Sequence, residues 1–286
     1  MRKNIFLAVL FSLVFIKVNA QWSKGKGNGY LKLGAWYLQS DQHYTDTGAI
    51  DPNVTRTQFN LNLYGEYGIT SKLDIITFLP FYSSISQNNQ ISGTNGSVIS
   101  AGETVSSLGD IDLGVNYNIY QKNNWAASVK LILGLPTGND SGGSDGSFQT
   151  GDGEFNQYIS TYLGYSGKVY DLPFYAKSYL GYNNRSEGFS DEFRTGLEGG
   201  INFLENKLWF ITRLNILKSL KNGSLNAITS NGSIFANNIE FSSFGFELAY
   251  YFTKSFGISA NFDSAFDGRI IAANASFSGG IFLDIK

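Results

Sequence analysis

Between Ile111 and Leu135 the chain alternates apolar and polar residues with a period of two, and this constrains its fold more than any other feature. Ile111, Leu113, Val115, Tyr117 and Ile119 alternate with Asp112, Gly114, Asn116 and Asn118. After the polar turn at 121–124, Ala127, Val129, Leu131, Leu133 and Leu135 alternate with Ser128, Lys130 and Gly134, and Ile132 is the one apolar residue on the polar side. A period of two puts each class on its own face of a strand, so the stretch is a β-hairpin with one greasy and one wet face. In a soluble sheet the greasy face is hidden, whereas in a transmembrane barrel it meets lipid and the wet face lines the interior.

The rest of the chain decides between these. Arg2 and Lys3, the apolar run from Ile5 to Ile16 and the small residues before Gln21 read as a cleaved secretion signal over residues 1–20, leaving 21–286 as one domain. Without cysteine, the domain has neither disulfides nor thiolate metal sites. A net charge of −2 gives no basic field for nucleic acid. Alternation recurs in about twelve segments, and the connections between them are alternately long and short. Aromatic residues gather at the short-turn ends, among them Tyr67, Trp125, Tyr165, Trp209 and Phe252. The expectation is an all-β fold: a transmembrane antiparallel up-and-down barrel of about twelve strands in a Gram-negative outer membrane, with long extracellular loops and short periplasmic turns. Twelve strands give a backbone diameter of roughly 24 Å, which side chains narrow to a small pore or a plugged lumen.

The phrases LGDIDLGVNYNI, GLPTG (Gly134 to Gly138) and QTGDGEFNQYISTYLGY (Gln149 to Tyr165), in that order, together with YGITSKLDI from Tyr67, resemble an outer-membrane transporter-like family named for meta-pathway phenol degradation. The resemblance runs from about Tyr64 to Tyr182. It implies a small barrel serving uptake of small, often hydrophobic or aromatic molecules, which makes the chain a channel or transporter-like protein. The alternative is a plugged structural or binding barrel whose loops meet a partner or the lipopolysaccharide layer.

Twelve charged residues fall on inward faces: Lys32, Glu66, Asp74, Asp110, Asp112, Lys130, Lys177, Arg194, Glu198, Arg213, Glu247 and Asp263. They line a selective lumen or pair into a neutral network that fills it. Pro80 and Pro136 fall within expected strands, where each removes a ladder donor. A lateral gap for apolar solutes is therefore expected near them, lined by Phe78, Phe81, Tyr82 and Phe148. The acids of the 138–154 loop have the oxygen chemistry of a calcium site without its spacing. His43, the single histidine, has no nucleophile at catalytic spacing, so no enzyme activity is expected, and no cofactor or metal site. The expected partners are outer-membrane lipid, lipopolysaccharide and a small-molecule solute, with the barrel a monomer.

Overall fold

A computed structural model describes residues 23–225 and 233–286; the secretion signal read in residues 1–20 lies outside them. Twelve long strands form the wall: β1 (Gly29–Tyr44), β2 (Ile50–Gly68), β3 (Leu73–Gln87), β4 (Ile111–Lys122), β5 (Trp125–Leu135), β6 (Asn156–Val169), β7 (Leu172–Asn184), β8 (Glu192–Phe203), β9 (Leu208–Ser219), β10 (Glu240–Tyr251), β11 (Phe256–Arg269) and β12 (Ser276–Ile285). Each pairs antiparallel with its sequence neighbours, and β12 pairs back onto β1 from Gly29↔Ile285 to Leu38↔Ser276. The sheet therefore closes. Closure leaves no long free edge in the wall, which hydrocarbon demands because an unpaired backbone group there costs several kcal/mol.

The two faces are inverted relative to a soluble protein. On β4, Leu113 is 44% exposed while Asn116 is 5% exposed. The same holds around the ring, with Leu33, Ile75, Leu131, Ile159, Leu197 and Ile281 exposed and Ser128, Ser160, Asn202 and Glu247 buried. An exposed apolar belt with a buried polar interior suits a bilayer outside and water or solute inside. Ile132, the misfit of the opening pattern, faces Gly114 across the β4–β5 ladder, where a Cβ would meet its Cδ1 at 2.3 Å. The glycine makes room for it.

At one end the connections are short: 69–72, 123–124, 170–171, 204–207 and 252–255. The two-residue turn at 170–171 has φ of 47° at Tyr170 and 65° at Asp171, the doubly positive geometry that matches strand twist. Trp125 and Tyr165 (ring centroids 5.0 Å apart) and Tyr250 and Phe252 (5.4 Å) stand at this end as the aromatic girdle requires. Trp209 is a correction, because it faces inward against Tyr175 at 5.6 Å.

The opposite end differs from expectation in three places. β1 and β2 run on to a connection of residues 45–49, so His43 lies in a strand opposite Asp51 and Ala272, not in a long loop. The 88–110 connection carries its own pairing, Gln90–Ile91 with Val98–Ser100, and Thr104–Ser107 continues the wall beside β3. Pro136 follows the last residue of β5, so it interrupts no strand.

Pro80 does lie within β3. There Leu61 faces Tyr82 and Leu63 faces Leu79, so Pro80 and Phe81 together oppose Asn62 in a bulge. On its other edge β3 pairs with β4 as far as Phe78↔Asp112, then with Thr104–Ser107 from Ser83 onward. Across this notch the backbone N–H of Gly109 donates to the Pro80 carbonyl at 2.8 Å. The bulge also shifts the alternation by one residue, so Phe81 and Tyr82 are both exposed on the outer face.

Candidate functional site in the barrel lumen

Two chambers of about 430 and 440 Å³ occupy the interior. Register shows that they are stacked: the first is lined from the short-turn halves of the strands and the second from the long-loop halves. Seven of the twelve expected lumen charges, Glu66, Asp74, Lys130, Lys177, Glu198, Arg213 and Glu247, line the first chamber. Lys32 reaches it through Glu247 at 3.4 Å. Arg194 and Asp263 line the second. Asp112 takes its place on β4 opposite Phe78 and Gly134. Asp110 is a correction to the strand-borne set: it precedes β4, and its carboxylate accepts the backbone N–H groups of Gly138 and Asp152, both at 2.8 Å, holding the 136–155 loop.

An ion-pair belt rises through the first chamber. Lys177 and Arg213 each reach Glu198 at 2.7 Å, Arg213 continues to Glu247, and Glu247 meets Lys32. The alternation makes this possible, because Lys177, Glu198 and Arg213 are direct neighbours on β7, β8 and β9 and so share one height and one face. Across the lumen Glu66 is held by Lys24 at 3.0 Å and by the Tyr64 hydroxyl.

The aromatic lining was not among the expected site residues. Tyr64, Tyr162, Tyr175 and Trp209 face the first chamber, and Tyr179, stacked on Tyr162 at 5.6 Å, faces the second. A signal for them existed. Tyr64 has the parity of Glu66, Tyr175 and Tyr179 that of Lys177, and Trp209 that of Arg213, so each shares its strand's charged face. Glycines seat two of these rings: a Cβ on Gly200 would meet Tyr175 at 2.3 Å and one on Gly196 would meet Tyr179 at 2.6 Å. The second chamber is more apolar, with Trp36, Leu38, Leu217 and Phe241 in its wall.

The outer mouth is partly covered. From the 136–155 loop, Phe148 is 2% exposed and lies 4.9 Å from the Arg56 guanidinium, which also donates to Ser147. Phe148 therefore packs inside, under the loop, and does not line the wall notch. The base of this loop is clamped by Arg185, whose side chain is 4% exposed and reaches Asp152 at 3.0 Å, Glu154 at 2.5 Å and Glu192 at 2.9 Å. With Asp152 and Glu154 committed to an arginine, their arrangement does not favour calcium. Among the described residues, no group of three or more His, Cys, Asp or Glu is placed to hold a metal. Burial lifts the Asp110 carboxyl to about 6, with Asp152 adding to the effect, and burial also lifts Glu154.

No family model matches the chain, and a search of curated proteins finds no match. Among solved structures, an outer-membrane channel from Pseudomonas putida F1 is similar, with a TM-score of 0.66 at 15% identity over 91% of this chain and 96% of that one. The fold is that of an outer-membrane β-barrel. The β-domain of the Bordetella autotransporter BrkA (TM-score 0.53, 14% identity, 91% and 100% covered) is also similar. So is the transport unit of the autotransporter AIDA-I from Escherichia coli (0.51, 9%, 96% and 94%). A channel and two autotransporter domains share this barrel, so function has to be argued from the lumen.

Proposed function

We propose that this barrel is an outer-membrane channel for small solutes, which pass along the axis through the two stacked chambers. The observation that carries this reading is the interior itself: a purely structural barrel of this width can be filled by side chains, whereas here two volumes of about 430 and 440 Å³ remain. Solutes with hydrophobic or aromatic character are favoured by the rings of the first chamber and the apolar wall of the second. The resemblance to the barrel family named for phenol degradation supports the same solute class. The notch between Phe78 and Ser83 supports a lateral route for the most apolar solutes, with Phe78 and Pro80 on its inner side and Phe81 and Tyr82 on its outer side. The barrel acts as a monomer, its long-loop end toward the lipopolysaccharide.

The test is purified barrel in planar bilayers and in liposomes. Reproducible conductance, and influx of phenol faster than that of a sugar of similar size, are expected; absence of both overturns the channel. A plugged binding barrel is the second reading, favoured by Phe148 and Ser147 packed beneath the covering loop. Conductance that appears only after deletion of residues 140–149 supports this reading.

A further inference from the structure

We infer that the first chamber contains a binding site for a small aromatic carboxylate, centred on Lys130. This rests on the channel reading and names the chemistry of the solute that pauses there. Five carboxylates line the chamber and each is already engaged. Glu66 is held by Lys24 and Tyr64, and Asp74 by Ser23, the Lys24 N–H and Asn116. Glu198 is held by Lys177, Arg213 and Tyr175, Glu247 by Lys32 and Arg213, and Asp284 by Tyr251. The cations Lys24, Lys177 and Arg213 are the other halves of those pairs.

Lys130 is different. Among the described residues, no carboxylate comes within ion-pair distance of its ammonium, which instead lies 4.9 Å from the centre of the Tyr162 ring. Its register neighbours on the wall, Asn116 and Ser160, are short and uncharged. Of the acids that act on it from farther away, Glu66 and Glu198 are held by other cations, and Asp74 is held by the Ser23 hydroxyl, the Lys24 N–H and the Asn116 amide. A half-buried ammonium that faces a ring and forms no ion pair lacks the close charged acceptor that would offset its lost hydration. The acceptor that fits must be supplied from outside, must be anionic, and must tolerate rings on several sides. A single-ring carboxylate meets all three conditions: its carboxylate takes the Lys130 protons while its ring lies among Tyr64, Tyr162 and Tyr175. A chamber of about 430 Å³ accommodates it.

The experiment titrates the refolded full barrel in detergent with benzoate, benzyl alcohol and benzylamine by calorimetry. These three single-ring molecules of similar size are anionic, neutral and cationic in turn. Benzoate is expected to bind at least about tenfold tighter than the other two. Lys130→Met should abolish the preference, and Lys130→Arg should retain it. A wild-type barrel without benzoate preference overturns the site whether or not any variant folds, as does a preference that survives in a well-folded Lys130→Met protein. Bilayer conductance and phenol influx are read separately: benzoate preference with neither of them defeats the channel and leaves the site, whereas a conducting barrel without the preference defeats only the site.

Discussion

Gly109 and Pro80 close the one notch in the β3–β4 wall: the glycine N–H donates to the proline carbonyl at 2.8 Å, and a Cβ at 109 would meet the proline ring at 2.6 Å. The proline breaks the regular ladder, and the glycine is small enough for the neighbouring segment to lie over the break.

Gly109→Val is therefore expected to force that segment outward. The overpacking should cost about 1–3 kcal/mol and loosen only the outer half of the wall. Liposome influx of an aromatic solute should rise while heat-modifiable gel mobility still reports an assembled barrel. If influx is unchanged in an assembled variant, the notch is not a route for solute.

Leu131 and Asn116 test the facing of the hairpin. Leu131 lies on the lipid-facing belt, so Leu131→Arg should cost about 2–4 kcal/mol if it sits near mid-bilayer. Asn116 faces the lumen and donates to Asp74 at 3.2 Å, and an arginine there keeps a donor and adds a cation beside a carboxylate. Asn116→Arg should accordingly be much milder. Folding titrations in urea with lipid vesicles measure both, and equal losses would contradict the assignment of faces.

Much of this was legible in the sequence because a period of two is both the fold signal and the facing signal. Leu197, Leu214 and Leu248 take the lipid face, so their neighbours Glu198, Arg213 and Glu247 turn inward, and register does the rest. What could not be read is what depends on three-dimensional packing. Trp209 has the composition of an interface residue and the parity of a lumen residue, and parity decides. Phe148 sits in a Gly- and Ser-rich stretch with no periodicity, so nothing local says that it packs on Arg56, three strands away around the wall. Arg185 gives no sign of its three acidic partners, since two of them come from a different loop. Pro136 looked like a strand residue because the hydrophobic run continues to its doorstep, but β5 stops at Leu135.

Acidity should tighten the outer loop. The Asp110 carboxyl, raised by burial to about 6, anchors the N–H groups of Gly138 and Asp152. A carboxyl whose folded value exceeds its unfolded value of about 4 contributes stability that is complete below that lower value and is lost as pH rises through the folded one. Glu154, also raised by burial, acts in the same direction. Amide exchange at Gly138 and Asp152, corrected for its intrinsic pH dependence, should show more protection at about pH 5 than at neutral pH. Asp110→Asn, which holds the site neutral, should reduce that difference. Greater protection at neutral pH would reverse the assigned sign.

Arg185 is the residue on which the cover of the outer mouth most depends. It is buried among Asp152, Glu154 and Glu192, with the Phe189 ring 4.3 Å from its guanidinium, and it ties the end of the 136–155 loop to the connection between β7 and β8. Removing it leaves three carboxylates close together with their common counter-ion gone. Breaking a buried ion network by deleting one partner typically costs about 3–5 kcal/mol. Because the strands on either side retain their full ladders, the loss should fall on the loop and not on the barrel. Arg185→Met is thus expected to leave assembly and heat-modifiable mobility intact, to expose the Gly- and Ser-rich stretch to broad-specificity proteases, and to increase bilayer conductance or its fluctuation as Phe148 leaves Arg56. Glu154→Gln with Glu192→Gln in the same chain removes two of the stranded charges and should partly restore the cover. An Arg185→Met barrel with unchanged protease resistance and conductance would show that the loop is held by Arg56 and Asp110 without need of the clamp.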